Sequence, residues 1–430
     1  MYIEKITLDN FRCFKHVELL LNKRCNVIVG INGSGKSSIL DALAISVGSY
    51  LAKISTASSI SINKEDSLRL TYETGSVLDT QSQFPVAIYS EGVFYDQEFK
   101  WKRELNGWNN RTTIKDASEI MDIGMYNQYA VMIGDTDVIL PIVSYYGTGR
   151  LYKKKSNRKN TKRKRASRLD GYIDALSSGT NEKELFKWFE DMSLIQIQDD
   201  KKVPELEAVK RAIVSCFEIS NPNISDISVS YSFKSKEIEL TYKKSNTYER
   251  LPLHLFSDGI RITLTMVADI ASRMAKLNPQ LLDKVLETPG VVLIDEIDMH
   301  LHPTWQRKIL ESLLNIFPNI QIVTTTHSPV VVSNVKSEYL RLLKDNDIYD
   351  SESGFGKDIN DILREIMETD YRPKEITDQI SLLNTHIQNG ELSKAEELLL
   401  SLKDILGEDD SGVVAAKASL ELERFFEEIL

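Results

Sequence analysis

The sequence predicts an α/β fold: a mixed, mostly parallel sheet covered by helices, with helical insertions and a small helical region at the C-terminal end. Three observations predict it. Uncharged runs of strand length (26–29, 291–294 and 320–325) lack alternation, which marks strands buried on both faces. Helical apolar periods separate them, as at Leu40, Leu43, Ala44 and Val47. Beyond about residue 358 the pattern is helical and acidic throughout.

The elements follow in order. Ile6, Leu8, Phe11, Phe14, Val17, Leu19 and Leu21 suit a hairpin or two short strands. Run 26–29 ends at a glycine, and the helix that begins at Ser37 is expected to stop at Gly48. Stretches 68–72, 86–89 and 130–133 look like short strands among polar turns. Segments 182–192 and 206–217 read as helices, and Ile227, Val229, Tyr231 with Ile238, Leu240, Tyr242 as a hairpin. A long helix is expected over 256–276. Tail helices are expected over 376–388, 393–406 and 414–430, broken at 389–390 and 407–412. The predicted division is a head over 1–345, carrying an insertion at about 150–250, and a helical region over 356–430. No repeat and no long heptad run is present.

Composition narrows the function. No run of eighteen apolar residues occurs among the 430, and the start, MYIEKITLDNFRCF, lacks a signal-peptide pattern, so a cytoplasmic protein without a membrane span is expected. Cys13, Cys25 and Cys216 are too few and scattered for a disulfide framework or a cysteine metal site. The net charge is −10, yet 153–168 holds ten basic residues and no acid, leaving 43 basic against 63 acidic residues elsewhere. Lys153, Lys154, Lys155, Arg158, Lys162, Arg163, Lys164 and Arg165 could contact nucleic acid. The same run also suits a solvated loop or a nuclear signal.

Four motifs carry chemistry. Residues 30–37, GINGSGKS, fit GxxxxGK[ST] between a strand and a helix. There Gly30, Gly33 and Gly35 let backbone N–H groups curl around a phosphate, with the helix dipole behind them. Lys36 reaches the β/γ-phosphates and Ser37 offers a hydroxyl to Mg²⁺. Residues 291–296, VVLIDE, place two acids at a buried strand end: Asp295 for Mg²⁺, mostly through water, and Glu296 to orient and deprotonate a water. His327, just past the strand over 320–325, could sense a γ-phosphate. Ser257, Asp258 and Gly259 open the long helix, and read alone they are only an N-cap. His300 and His302, two apart, suit a loop after the acids better than a metal pair.

The order FRCF, GINGSGKS, SDG, DEID, LHP, THSP resembles the ABC-type P-loop ATPase heads of the RecF, SMC and OLD group, over residues 1–340. The resemblance implies ATP and Mg²⁺ as cofactors, with Asn32, Ser34, Lys36, Ser37 and Ser38 at the nucleotide. It implies Asp295 and Glu296 as the Walker B pair and His327 as the switch histidine. Ser257 and Gly259 would meet ATP on the opposite protomer, within a homodimer or higher oligomer, and Arg12 would lie near the phosphates. FSDG stands where LSGG is usual, no Q-loop glutamine is evident near 145–150, and no coiled-coil arm is present. Compact size, EIDMHLHP and YYGTGR look more closely like the ATPases of Septu antiphage systems, including retron-attached ones. That implies an HNH-type nuclease partner and, in retron versions, a reverse transcriptase with its noncoding DNA. The expected function is an ATP-driven switch over such a partner. A RecF-like repair clamp is the alternative, and a transporter ATPase subunit a third reading that FRCF and the basic run argue against.

Overall fold

The computed structural model describes residues 1–74, 77–151, 167–177, 179, 182–350, 354–369 and 372–429. The chain divides into two units, 1–359 and 360–430. In the first, β1 (Tyr2–Phe11) and β2 (Phe14–Leu20) form the expected hairpin, with Phe11 opposite Phe14 and Ile6, Leu8, Val17 and Leu19 turned inward. The fully buried β3 (Cys25–Val29) feeds a six-residue loop and α1 (Lys36–Leu51). That helix passes the expected stop at Gly48. A Cβ there would stand 2.9 Å from Leu176 Cδ1, so the glycine serves close packing and does not end the helix.

Two hairpins follow, β4 (Arg69–Thr74) with β5 (Val77–Ser82), and β6 (Val86–Phe94) with β7 (Gln97–Leu105). The stretch 130–133 is not a strand: it closes α2 (Ser118–Met132). Ile120, Met121, Gly124, Asn127 and Ala130 are its buried positions, a helical period in which Asn127 and Gly124 hide the apolar stripe from a sequence reading. Next come β8 (Ile142–Tyr146), α3 (Glu182–Gln198), α4 (Pro204–Ser220) and the meander β9 (Ile224–Ser232), β10 (Glu237–Lys244) and β11 (Thr247–Pro252). The expected 225–245 hairpin thus gains a third strand. The unit continues through α5 (Asp258–Leu277), β12 (Gly290–Ile294), the short α6 (Pro303–Gln306), α7 (Ile309–Ile316), β13 (Ile320–Thr326), the short α8 (Pro329–Val332), β14 (Leu340–Lys344) and β15 (Asp347–Asp350).

The central sheet runs β15-β14-β3-β13-β12-β8, parallel except for the β15 edge. A four-stranded antiparallel sheet, β2-β1-β6-β7, stands apart from it. Thirteen of the sixteen α1 residues are buried because the helix packs against strands of both sheets. Val291, Val292, Leu293 and Ile294 are wholly buried, each contributing about 1.5–3 kcal/mol. Among the described residues no helix is long and apolar enough to cross a membrane.

The second unit holds most of α9 (Ile359–Glu365), then α10 (Lys374–Gln388), α11 (Leu392–Leu406) and α12 (Ser411–Ile429). Its core is Leu383, Ile387, Ala395, Leu402, Val413, Ala416 and Leu420. Arg372 and Asp410 join across it at 2.9 Å.

Candidate nucleotide-binding site

Register brings the chemistry to one edge. Thr324 and Thr326 of β13 stand beside Ile294 of β12 and Val29 of β3, and Ile294 also faces Tyr146 of β8. The loops after β3, β12 and β13 therefore leave the sheet side by side, at the carboxyl ends where open α/β sheets take ligands. Gly30 is buried, whereas Asn32 and Gly33 lie exposed at the loop tip. Gly35 adopts φ +102, and a Cβ on it would stand 2.6 Å from both Cys13 Sγ and Phe14 Cζ. Only glycine meets both demands. Ser34 Oγ is buried without a hydrogen-bond partner, an orphan hydroxyl inside a glycine cradle of the kind phosphate oxygens satisfy.

Lys36 opens α1, its ammonium donating to the carbonyls of Gly30 at 2.7 Å and Ile31 at 2.8 Å. Burial pushes it down to about 8, against the pull of Asp295, Glu296 and Asp298. Ser37 Oγ donates to Asp295 Oδ2 at 2.9 Å, and Ser38 follows on the same turn. A hydroxyl paired with a carboxylate fits Mg²⁺ that keeps most of its shell from water and phosphate, not a cage made by protein alone.

Residues that the sequence reading missed lock this edge. Thr325 Oγ1 donates to Asp295 Oδ1 at 2.6 Å and accepts the Glu296 N–H at 2.8 Å, while its carbonyl accepts the Ile297 N–H at 3.0 Å. Those bonds hold Glu296 at φ 48, a left-handed conformation that costs a glutamate about 1–2 kcal/mol. Thr326 Oγ1 donates to Asp298 Oδ1 at 2.6 Å, and Ser328 Oγ donates to Gln306 Oε1 at 2.7 Å. The loop bearing His327 is thereby tied to the loop after the acidic pair. Burial and then the Lys36 charge lower the His327 pKa, with Glu296, Asp298 and Asp295 opposing, so its ring is neutral near pH 7. The signal for these residues lay in TTTHSP: three buried threonines ending a strand bring hydroxyls to a place where packing needs none.

Arg12 sits in the β1–β2 turn beside α1. Its Nε donates to Asp66 Oδ1 at 2.9 Å and an Nη to Asp41 Oδ2 at 2.6 Å. Burial works against this charge, but Asp41 and Asp66 outweigh it and raise the guanidinium pKa. Tyr145 of β8 donates to the other Asp41 oxygen at 2.8 Å, so a tyrosine stands in the region searched for a Q-loop glutamine.

Ser257 is the N-cap of α5 without a side-chain capping bond, so capping does not account for it. It is exposed, while Gly259 is buried where a Cβ would stand 2.1 Å from the His300 carbonyl oxygen. Among the described residues neither is bonded to the 30–37 loop. Gly259 lies against the loop after Glu296, and His302 caps α6 by accepting the Thr304 N–H at 3.3 Å. Lys153, Lys154, Lys155, Arg158, Lys162, Arg163, Lys164 and Arg165 lie outside the described residues.

A glycine loop and an acidic pair meeting at the carboxyl ends of a parallel sheet define the class: a P-loop ATPase head of the ABC type. A family model described as "AAA domain" matches residues 5–219, and a second AAA-domain model, whose description adds AbiEii toxin and Type IV TA system, matches 144–333. The chain belongs to this AAA-domain family. The Retron Ec83 probable ATPase of Escherichia coli is 25% identical over 97% of this chain and 86% of that protein. The Retron Vc95 probable ATPase of Vibrio cholerae is 26% identical over 89% and 82%. Septu protein PtuA of Bacillus thuringiensis is 24% identical over 86% and 85%.

The Lys36 environment sets a pH dependence. Only the protonated ammonium pairs with a phosphate, and its pKa in the nucleotide-free protein is about 8. Bound phosphate raises that pKa, so affinity should be level below pH 8 and fall by about tenfold per unit above it, until the bound-state pKa is reached. Titration of ATP into the protein from pH 7 to 9.5 checks this, beside Lys36→Arg, which stays charged and should show no such slope. A flat wild-type profile would refute the assignment.

Proposed function

We propose that this chain is an ATP-gated switch of antiphage defence, in which two heads close on ATP and the closed state controls a nucleic-acid-acting partner. One observation carries the ATP-binding core of the reading: Ser37, Asp295, Thr325 and Glu296 are joined in a continuous hydrogen-bonded line from the glycine loop to the acid next to it. Backbone N–H groups of Gly33, Ser34 and Gly35 take up phosphate oxygens, with Asn32 and Ser38 flanking. Lys36 turns from the loop carbonyls to the β/γ-phosphates. Ser37 and Asp295 would hold Mg²⁺, which would supply neutralisation of phosphate charge there. Glu296 orients and deprotonates water, and neutral His327 hydrogen-bonds the γ-phosphate. Loss of that contact reaches the loop after Glu296 through Thr326, Asp298, Ser328 and Gln306. Ser257 and Gly259 grip ATP on the opposite protomer. Arg12 stands ready to leave Asp41 and Asp66 for the phosphates.

The defence role rests on the retron and Septu relatives. An HNH-type nuclease is the proposed partner, with a reverse transcriptase and its noncoding DNA in a retron setting. The test is to recover tagged wild-type and Glu296→Gln protein from the native host and identify what accompanies them. A nuclease held more firmly by Glu296→Gln supports the switch. Repair proteins and DNA without a nuclease would replace it with a RecF-like clamp.

A further inference from the structure

Away from the nucleotide site, a cavity of about 560 Å³ opens between the end of α1, the 59–64 segment, β7 and the turn that follows it. This volume suits a nucleotide-sized ligand. Four cations line it, Lys53, Lys64, Arg103 and Arg111, together with Trp108, and no carboxylate does. Lys53 is engaged with Asp122. The other three make no ion pair among the described residues.

Arg103 is the unusual member. It is 2% exposed, yet among the described residues its guanidinium makes only neutral, long hydrogen bonds: Nε to the Thr113 carbonyl at 3.2 Å and an Nη to Ser49 Oγ at 3.4 Å. Burial lowers its pKa, and no acid offsets that. Its strand neighbours do not help, since Glu104 is paired with Lys102 at 3.0 Å. A buried guanidinium without a counter-ion is costly, and such a charge is kept where an anion is to be met. Trp108 stands at the mouth, 49% exposed, with Lys64 Nζ 4.8 Å from its ring centroid. An open indole beside cations is a platform on which a nucleobase stacks.

We propose that this cavity binds a nucleoside monophosphate group, its phosphate on Arg103 and Arg111 and its base on Trp108. Two sources share that chemistry: a free nucleotide, or the phosphorylated end of a single strand. The site is separate from the glycine loop and operates whether or not ATP is bound.

The test uses the full chain saturated with Mg²⁺ and a non-hydrolysable ATP analogue, so that the glycine loop is filled. The probes are dTMP and oligothymidylates phosphorylated at the 5′ or the 3′ end, each beside its unphosphorylated twin. A phosphorylated probe should bind about tenfold or more tighter than its twin. Trp108→Ala and Arg111→Ala, both on exposed residues, should remove that advantage and leave ATP hydrolysis unchanged. Binding of dTMP alone identifies a free nucleotide, and binding of an oligonucleotide alone identifies a strand end. Arg103→Met should lose the phosphate-dependent binding while its Tm holds or rises, because an uncompensated charge has gone. Equal binding of phosphorylated and unphosphorylated probes, or full retention in Trp108→Ala and Arg111→Ala, overturns the proposal.

Discussion

Replacing Glu296 with glutamine should slow ATP turnover by about 10²–10³-fold while leaving ATP binding intact. Glutamine keeps the size of the side chain and the backbone bond from residue 296 to Thr325 Oγ1, 2.8 Å in the wild type. The left-handed backbone at φ 48 is held by β13 and not by the side chain, so the loop should stay as it is. What disappears is the group able to take a proton from water. Asp295, bonded to Ser37 and Thr325, keeps the metal position. The variant should therefore accumulate with ATP bound, and its mass in solution should rise to that of a dimer with ATP but not with ADP. Adding Ser257→Arg, which puts a bulky cation where the opposite phosphate is to be gripped, should return it to the monomer mass. Turnover within about threefold of wild type would remove Glu296 from the base role.

The sequence made the local parts of this site legible and left the long-range parts hidden. A glycine loop must be contiguous, because successive N–H groups surround one phosphate, so GINGSGKS could be read directly. The same holds for VVLIDE, where a buried strand ends in acids. Arg12 shows the limit. Its partners Asp41 and Asp66 lie 29 and 54 positions away, and Tyr145 reaches Asp41 from 104 positions away. Nothing in local periodicity announces such a cluster. Helix ends failed for a related reason. Gly48 looks like a stop, but Leu176 packs where its side chain would be, and that neighbour is visible only once the chain has folded. Arg103 is hidden in the same way, since the sequence does not say that the adjacent Glu104 pairs with Lys102.

Asp269→Ala should cost about 3–5 kcal/mol of stability, read from the urea midpoint. Asp269 and Arg273 form a buried pair on α5 at 2.7 Å, with 8% and 9% of their side chains exposed. The same Asp269 oxygen accepts the Tyr146 hydroxyl at 2.7 Å, and Arg273 donates to the carbonyls of Gly171 at 3.0 Å and Ile173 at 2.8 Å. Alanine leaves a guanidinium in the core without its acid and a tyrosine hydroxyl without its acceptor, and water does not reach either group. A loss below about 1 kcal/mol would mean that the pair is not worth what its burial implies. Replacing both partners, Asp269→Leu with Arg273→Met, should recover most of the loss, because the desolvation cost leaves with the charges. Function should not follow stability in that double variant. The cluster fixes α5 to the end of β8, and α5 carries Ser257 and Gly259 at its start, with Gly259 against the His300 carbonyl. An apolar replacement packs without fixing direction, so ATP-dependent pairing of heads should weaken even where the fold is restored. That split between a recovered midpoint and impaired pairing is what separates an ion pair kept to aim a helix from one kept to hold a core together.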